Sequence, residues 1–322
     1  AEKTHGFIPR AVDYSYVWGD AIDVLKRVAP DARIANLETA VTSSDEAAPK
    51  GINYRMHPAN AELLSVAGLD CCVLANNHVL DWGHAGLCQT LETLERIGVR
   101  ASGAGRTQAE AEAPAILPVN GVGRVLVFAY ATPDSGVPAS WAARRDRSGV
   151  NWLSDLSDAS IRQIVARVTT IKRTGDVAIV SMHWGSNWGF EVPARHRAFA
   201  HALIDRARVD VVFGHSSHHA KAIEVYESRP IFYGCGDFLN DYEGIGGKEA
   251  FRDDLAVAYF PTLSVKSGEL IRLTMAPLQI RRFRLQHASR SDRAWLATTL
   301  DRECRRFGRG VSRQDDMLEL AP

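Results

Sequence analysis

Four stretches of this chain run apolar for several residues and then stop on a chemically active side chain. IANLE ends at Glu38, CCVLANNH at His78, VAIVSMH at His183, and VDVVFGHSSHH at His219. Short apolar runs closed by polar residues read as buried strands, and open α/β sheets gather their ligands at the carboxyl ends of such strands. The pattern predicts that ends far apart in sequence converge on one pocket suited to a metal or to proton transfer.

Between these runs the apolar period lengthens to that of a helix. Trp18, Ile22, Leu25 and Val28 form one such set, and Leu87, Leu91, Leu94 and Ile97 a second that Gly98 closes. A third carries Ile161, Ile164, Val165, Val168 and Ile171, with Ser154 and Asp155 as capping candidates and Gly175 at its end. A fourth, around 199–208, brings His196 and His201. Alternation of strand and helix argues for right-handed crossovers and a largely parallel sheet.

After residue 220 the helices drop out. PIFYGCGDF, LAVAYFPTLSV and ELIRLTMAPLQI follow one another across short turns, which reads as antiparallel pairing. The fold expected is α/β, a four-layer α/β/β/α sandwich. Two long loops, 42–51 and 133–149, are rich in turn formers and have the length of lids or binding loops. Trp295, Leu296, Leu300 and Cys304 then recur at helical spacing, so residues 1–288 are read as the domain and 289–322 as a helical extension.

Composition narrows the partners. The 322 residues carry 38 basic and 38 acidic side chains, so no global field draws in nucleic acid or anionic membrane. No apolar run reaches the roughly 18 residues of a membrane helix, and a cytoplasmic location is expected. The five cysteines show no CxxC spacing and read as small buried thiols.

The chemistry concentrates at the strand ends. His183, His215 and His218 are candidate metal ligands, because imidazole is the commonest such ligand; His219 beside them is expected to point elsewhere. A single histidine is more often a core residue bonded to backbone, but the shared strand-end context favours a site. Asn77 offers a neutral oxygen to a metal, His78 an acid or oxyanion stabiliser, and Asp81 follows one turn later. Glu38 is the carboxylate of the set, and Asp237 sits in GCGDF, a tight turn or a pocket floor. Arg55 and His57 in NYRMHPAN are candidate substrate contacts, since arginine grips anions at two points, and Trp184 and Trp188 are candidate pocket walls.

Taken in order, NLETAVT, ANNHVLDWG, GAGR, SMHWG, GHSSHH and YGCGDFLND resemble the bacterial CapA, or poly-γ-glutamate capsule synthesis, family, over roughly residues 15–285. That family is similar in fold to calcineurin-like metallophosphatases. The resemblance implies that Glu38, Asn77, His183, His215 and His218 hold a divalent metal (Zn, Mn or Fe), with His78 the proton donor; from the residues themselves Asp81 and His218 are added as catalytic candidates and Arg55, His57, Trp184 and Asp237 as substrate contacts. Members of the wider fold begin with a strand ending in Gly-Asp. Nothing upstream of Val17 matches it, so the chain is read as lacking that strand and one carboxylate, with incomplete or absent metal occupancy. Three functions follow as expectations: a metal-dependent hydrolase of a phosphoester or related bond in an anionic substrate, a metal-free peptide epimerase working by Asp and His proton transfer, or a non-catalytic polymer-binding component. The partner expected is an anionic polymer, peptide or small molecule.

Overall fold

The computed structural model describes residues 2–10, 12–119, 121, 123–243, 247 and 249–321. The apolar runs do form strands, in three principal sheets. A small parallel sheet orders β1 (Ile34–Asn36), β2 (Cys71–Val73) and β3 (Arg100–Ser102) side by side. Beside it stands a six-stranded sheet made of β4 (Ala115–Val119), β5 (Gly123–Ala131), β6 (Val177–His183), β7 (Val211–His215), β8 (Ile223–Tyr226) and β9 (Arg229–Phe232), in the order β8-β9-β7-β6-β5-β4. Its four central strands are parallel, and β4 and β8 run antiparallel at the two edges.

The third sheet is antiparallel. It pairs β10 (Leu255–Leu263) with β11 (Leu270–Ile280), adds β12 (Leu285–His287) on β11, and continues to β13 (Val311–Gln314) and β14 (Met317–Leu320). The expected antiparallel layer is therefore present, with one difference. PIFYGCGDF does not join it, because Pro230 and Ile231 of β9 stay registered with the central sheet.

Five helices of eight residues or more are present among the described residues: α1 (Ala21–Val28), α2 (Gly83–Arg96), α3 (Asp158–Ile171), α4 (Ala194–Ala207) and α5 (Arg290–Arg305). Ser157, not Ser154 or Asp155, caps α3, its hydroxyl accepting from Ser160 N. Gly98 does close α2, at φ +74°, where a side chain would be strained.

Packing follows the apolar faces. α3 and α4 cover one face of the central sheet, where Phe128, Val180 and Met182 meet Ile164, Phe199 and Leu203. Each such side chain stabilises the fold by roughly 1.5–3 kcal/mol relative to exposure. The other face, through Val211, Ile223 and Phe232, meets Leu255, Val257, Leu273 and Met275 of the third sheet and Leu296 and Leu300 of α5. α2 packs Leu87, Leu91 and Leu94 on Cys71, Cys72 and Val73, and Val127 and Ala129 join them, so the two parallel blocks share a core. The architecture is mixed α/β with several sheets.

Two readings of the chain change here. Residues 289–322 are not helical throughout: after α5 the chain enters the third sheet as β13, makes a two-residue turn with Asp315 at φ +54°, and returns as β14. The five cysteines are all free thiols, but only Cys71, Cys72 and Cys304 are fully buried, Cys88 and Cys235 being partly so. Among the described residues no helix is long and apolar enough to cross a membrane.

Candidate active site

Parallel register is what brings the histidines together. β6 and β7 pair so that His183 lies directly opposite His215, and Ser181 points the same way two residues earlier. His183 Nδ1 is 2.8 Å from His215 Nδ1, and His215 Nε2 is 2.7 Å from Ser181 Oγ. The strand end is clamped from behind: the His183 carbonyl accepts from Thr132 N at 3.1 Å, Thr132 Oγ1 at 3.0 Å and Ser135 Oγ at 2.9 Å.

Glu38 arrives from the end of β1. Asn36 Nδ2 donates to its Oε2 at 2.7 Å, and its Oε1 lies 3.8 Å from His183 Nε2. One ligand atom each from Glu38, His183 and His215 lie within 4.8 Å of one another, a group compact enough to enclose one divalent ion. Within this group His183 Nε2 is buried and has no hydrogen-bond partner, and the same holds for Asn77 Oδ1 just after β2. A buried polar atom left unpaired costs roughly 1–3 kcal/mol, and a cation accepting its lone pair would recover that cost. The mixed nitrogen and oxygen donor set suits Zn, Mn or Fe.

Asn77 and His78 project from a corner that a neighbouring side chain ties down. Asn76 Nδ2 donates to Asn36 Oδ1 at 3.0 Å and to Leu37 O at 2.9 Å, while its Oδ1 accepts from His78 N and Val79 N. This joins the ends of β1 and β2. Neither Asn76 nor Asn77 has a left-handed backbone; the side-chain bonds of Asn76 account for asparagine there, and the turn gives no such reason for Asn77. Behind the corner, His78 Nδ1 is 2.7 Å from Oδ2 of Asp81, which is wholly buried. The Tyr54 ring lies 4.2 Å from the His78 ring, centre to centre.

His218 does not join the three-residue group. The strand stops at His215, and Ser216 at φ +103° turns the chain away. His218 Nδ1 then lies 3.0 Å from both Asp237 oxygens, with its Nε2 3.0 Å from Asn187 Nδ2. Asp237 is thus the carboxylate that orients His218. His219 points elsewhere, as expected: Gly189 N donates to its Nε2, and Phe190 and Phe251 pack on its ring.

Three substrate-contact candidates are occupied otherwise. Trp184 follows His183 in the strand, so alternation sends it to the opposite face; it is 2 % exposed, stacks on His196 at 4.7 Å and donates to Tyr233 O. Arg55 lies over the Trp82 ring at 4.1 Å and donates to Ser44 O and Asp45. His57 caps the short turn after it, accepting from Ala59 N. Trp188 does stay near the site, 5.2 Å from the His218 ring, centre to centre. A depression of about 480 Å³ lined by Val12, Tyr16, Ile22, Lys26 and Arg284 contains none of these side chains.

Sequence patterns gave no signal for Lys50, whose ammonium enters the His78 and Asp81 pair from the loop 42–51. Nor did they single out Tyr54 and Tyr242, whose hydroxyls meet at 2.7 Å. Only contact geometry finds them.

The groups share one electrostatic field. Burial, then the charge of Asp237, raises the Glu38 carboxyl to about 7, against the pull of His218, Asn36 and Lys50. Burial lowers His78, with Lys50 and His218 adding to it and Asp81 opposing. His183 is held well below the ordinary histidine range by burial and then by His215. Burial also takes His215 down to about 3 and His219 to about 4. For His218 burial acts downward too, but the Asp237 hydrogen bond and charge outweigh it and the ring ends above its usual value.

These shifts set an acid limit on the metal-free protein. His215 and His219 bind protons near 6.5 when unfolded and near 3 and 4 when folded, so their contribution is full above pH 6.5 and lost as pH falls towards 4. His218 and Glu38, both raised when folded, work in the opposite sense and offset part of that loss. The urea midpoint of chelator-treated protein should fall between pH 7 and pH 5, by the equivalent of roughly 1–2 kcal/mol for each depressed histidine. A midpoint that holds or rises would show that these rings are not buried neutral.

The bacterial capsule synthesis protein family PGA_cap matches residues 1–242. A "probable polyglutamine synthesis accessory protein" of Mycobacterium tuberculosis is 47% identical over 325 residues, covering 100% of this chain and 85% of that protein. The capsule biosynthesis protein CapA of Bacillus anthracis is 26% identical, over 92% of this chain and 71% of its own length. The PGA biosynthesis protein CapA of Bacillus subtilis is 28% identical, over 78% and 62%. A hypothetical protein from Thermus thermophilus is similar in structure at a TM-score of 0.42 and 17% identity, over 82% of this chain and 87% of that one.

Proposed function

The chain belongs to the bacterial capsule synthesis family PGA_cap, and we propose that it is a metal-dependent hydrolase acting on a phosphoester or related bond of an anionic substrate. The observation that carries the reading is the meeting of Glu38, His183 and His215, with His183 Nε2 buried and unpaired among them and Asn77 Oδ1 likewise unpaired on the corner tied to the end of β1. In this reading the sheets and helices are the layers of a four-layer α/β/β/α sandwich of the calcineurin-like kind, with the site at the carboxyl ends of its parallel strands.

Glu38, His183 and His215 would hold the ion, and Asn77 would add a neutral oxygen. A divalent ion there supplies a Lewis acid and lowers the pKa of a bound water. The chain's own groups do the rest. Asp81 holds His78 by Nδ1, which fixes the ring orientation and leaves Nε2 for the substrate; when the ring carries its second proton, on Nε2, burial favours its transfer to a leaving group while Asp81 keeps the Nδ1 proton. His218, held towards its charged form by Asp237, attracts an anionic substrate. Trp188, beside His218, can flank the bound chain.

A second reading, metal-free proton transfer at a peptide Cα, has its own support. Two histidines, each oriented by a buried or half-buried carboxylate, stand in the same field as Glu38, whose pKa near 7 suits a base. Elemental analysis and a chelator series separate the readings. We expect about one Zn or Mn per chain, and phosphoester cleavage that chelation abolishes. Activity that survives chelation, with deuterium entering substrate at Cα, would replace the first reading by the second. Neither activity in a folded protein would leave a polymer-binding role.

A further inference from the structure

We propose that Lys50 is a positioning residue that pins the Asn77–His78 corner, an inference that rests on those two residues working as described above. Its ammonium nitrogen lies 2.6 Å from the Asn77 carbonyl oxygen, 2.6 Å from Asp81 Oδ1 and 3.3 Å from His78 Nδ1. Asp81 also accepts from Tyr54 N at 2.7 Å and faces His78 Nδ1 at 2.7 Å. An ionised carboxylate only accepts, so His78 Nδ1 carries the proton and Lys50 donates to Asp81 and to Asn77 O instead of to the ring.

Asp81 is wholly buried, and Lys50 is the cation in contact with it. Removing one partner of such a pair leaves a buried charge uncompensated, which the corner relieves by rearranging or by taking up a proton, either of which alters the His78 hydrogen bond. Both long loops end on this ammonium. Loop 42–51 carries it, with Ala48 N donating to Asp81 O at 2.7 Å, and Trp141 of loop 133–149 places its ring 5.3 Å away. A compact ammonium with three donors serves two oxygens at 2.6 Å from a single nitrogen, and a planar guanidinium does not reproduce that geometry. Lys50→Arg should therefore fail where a small free amine succeeds.

The test uses the full chain, chelator-treated and labelled with 15N-histidine, so it needs neither metal nor substrate. The hydrogen-bonded Nδ1 proton of His78 should give a downfield signal, identified by its loss in His78→Gln. Lys50→Ala should lose that signal, millimolar ethylammonium should restore it, and tetramethylammonium, which has no N–H, should not. Cobalt(II) affinity should fall roughly tenfold in Lys50→Ala and recover with ethylammonium, the usual scale for a group that orients a ligand. Persistence of the signal in Lys50→Ala, or no recovery with ethylammonium, overturns the proposal. If Lys50→Ala does not fold, loss of the signal in a folded Lys50→Met decides it. Wild-type protein that takes up no cobalt would sink the metal reading alone, because the histidine signal still reports on Lys50.

Discussion

If the site holds an ion and hydrolyses substrate as proposed, His215→Ala should remove the ion and, with it, more than roughly 10²-fold of turnover. Losing a residue that merely orients a ligand typically costs 10- to 100-fold in affinity or activity, and loss of a ligand should exceed that. His215 carries two connections at once, to His183 Nδ1 and to Ser181 Oγ. Its removal therefore frees the remaining ring as well as taking a donor away. Elemental analysis beside a cleavage assay checks this. Full metal content in folded His215→Ala would move the ion elsewhere, and full activity would remove the site from the chemistry.

His78→Ala should separate the two functions of the pocket. A positioned acid contributes about 10²- to 10⁴-fold, so turnover should fall on that scale while metal content stays near that of the wild type. The reason is placement: His78 Nδ1 belongs to Asp81 and not to the Glu38, His183 and His215 group. Parallel loss of metal would make His78 a ligand. Unchanged turnover would pass the proton-donor role to His218.

How far the chain could be read ahead depended on how local the cause was. β6 and β7 announce themselves as VAIVSMH and VDVVFGH, and a polar end on a buried strand placed His183 and His215 correctly. The same logic failed for His218, because one residue, Ser216, takes a left-handed conformation that spacing does not reveal. Trp184 was legible in principle, since strict alternation after His183 sends it into the core. Lys50 was not, because a lysine in a polar loop looks like any solvated lysine until the loop is folded against Asp81. The terminal hairpin was hidden for a similar reason: Ser312, Arg313 and Gln314 are exposed, so β13 has no apolar stripe to betray it.

The register that sets His183 opposite His215 also bears on how the protein acquires its site. Parallel neighbours must be joined by a crossover, here the one that carries α4, and a slip of one residue between them would turn one of the two rings to the wrong face. Glu38 and Asn77 come from a separate parallel block nearer the start of the chain. No fragment shorter than residues 38–215 therefore contains the donor set, and contacts so distant in sequence form late. Ion capture would then mark completion of the native topology, and the time course of metal uptake during refolding would time the closing step of folding.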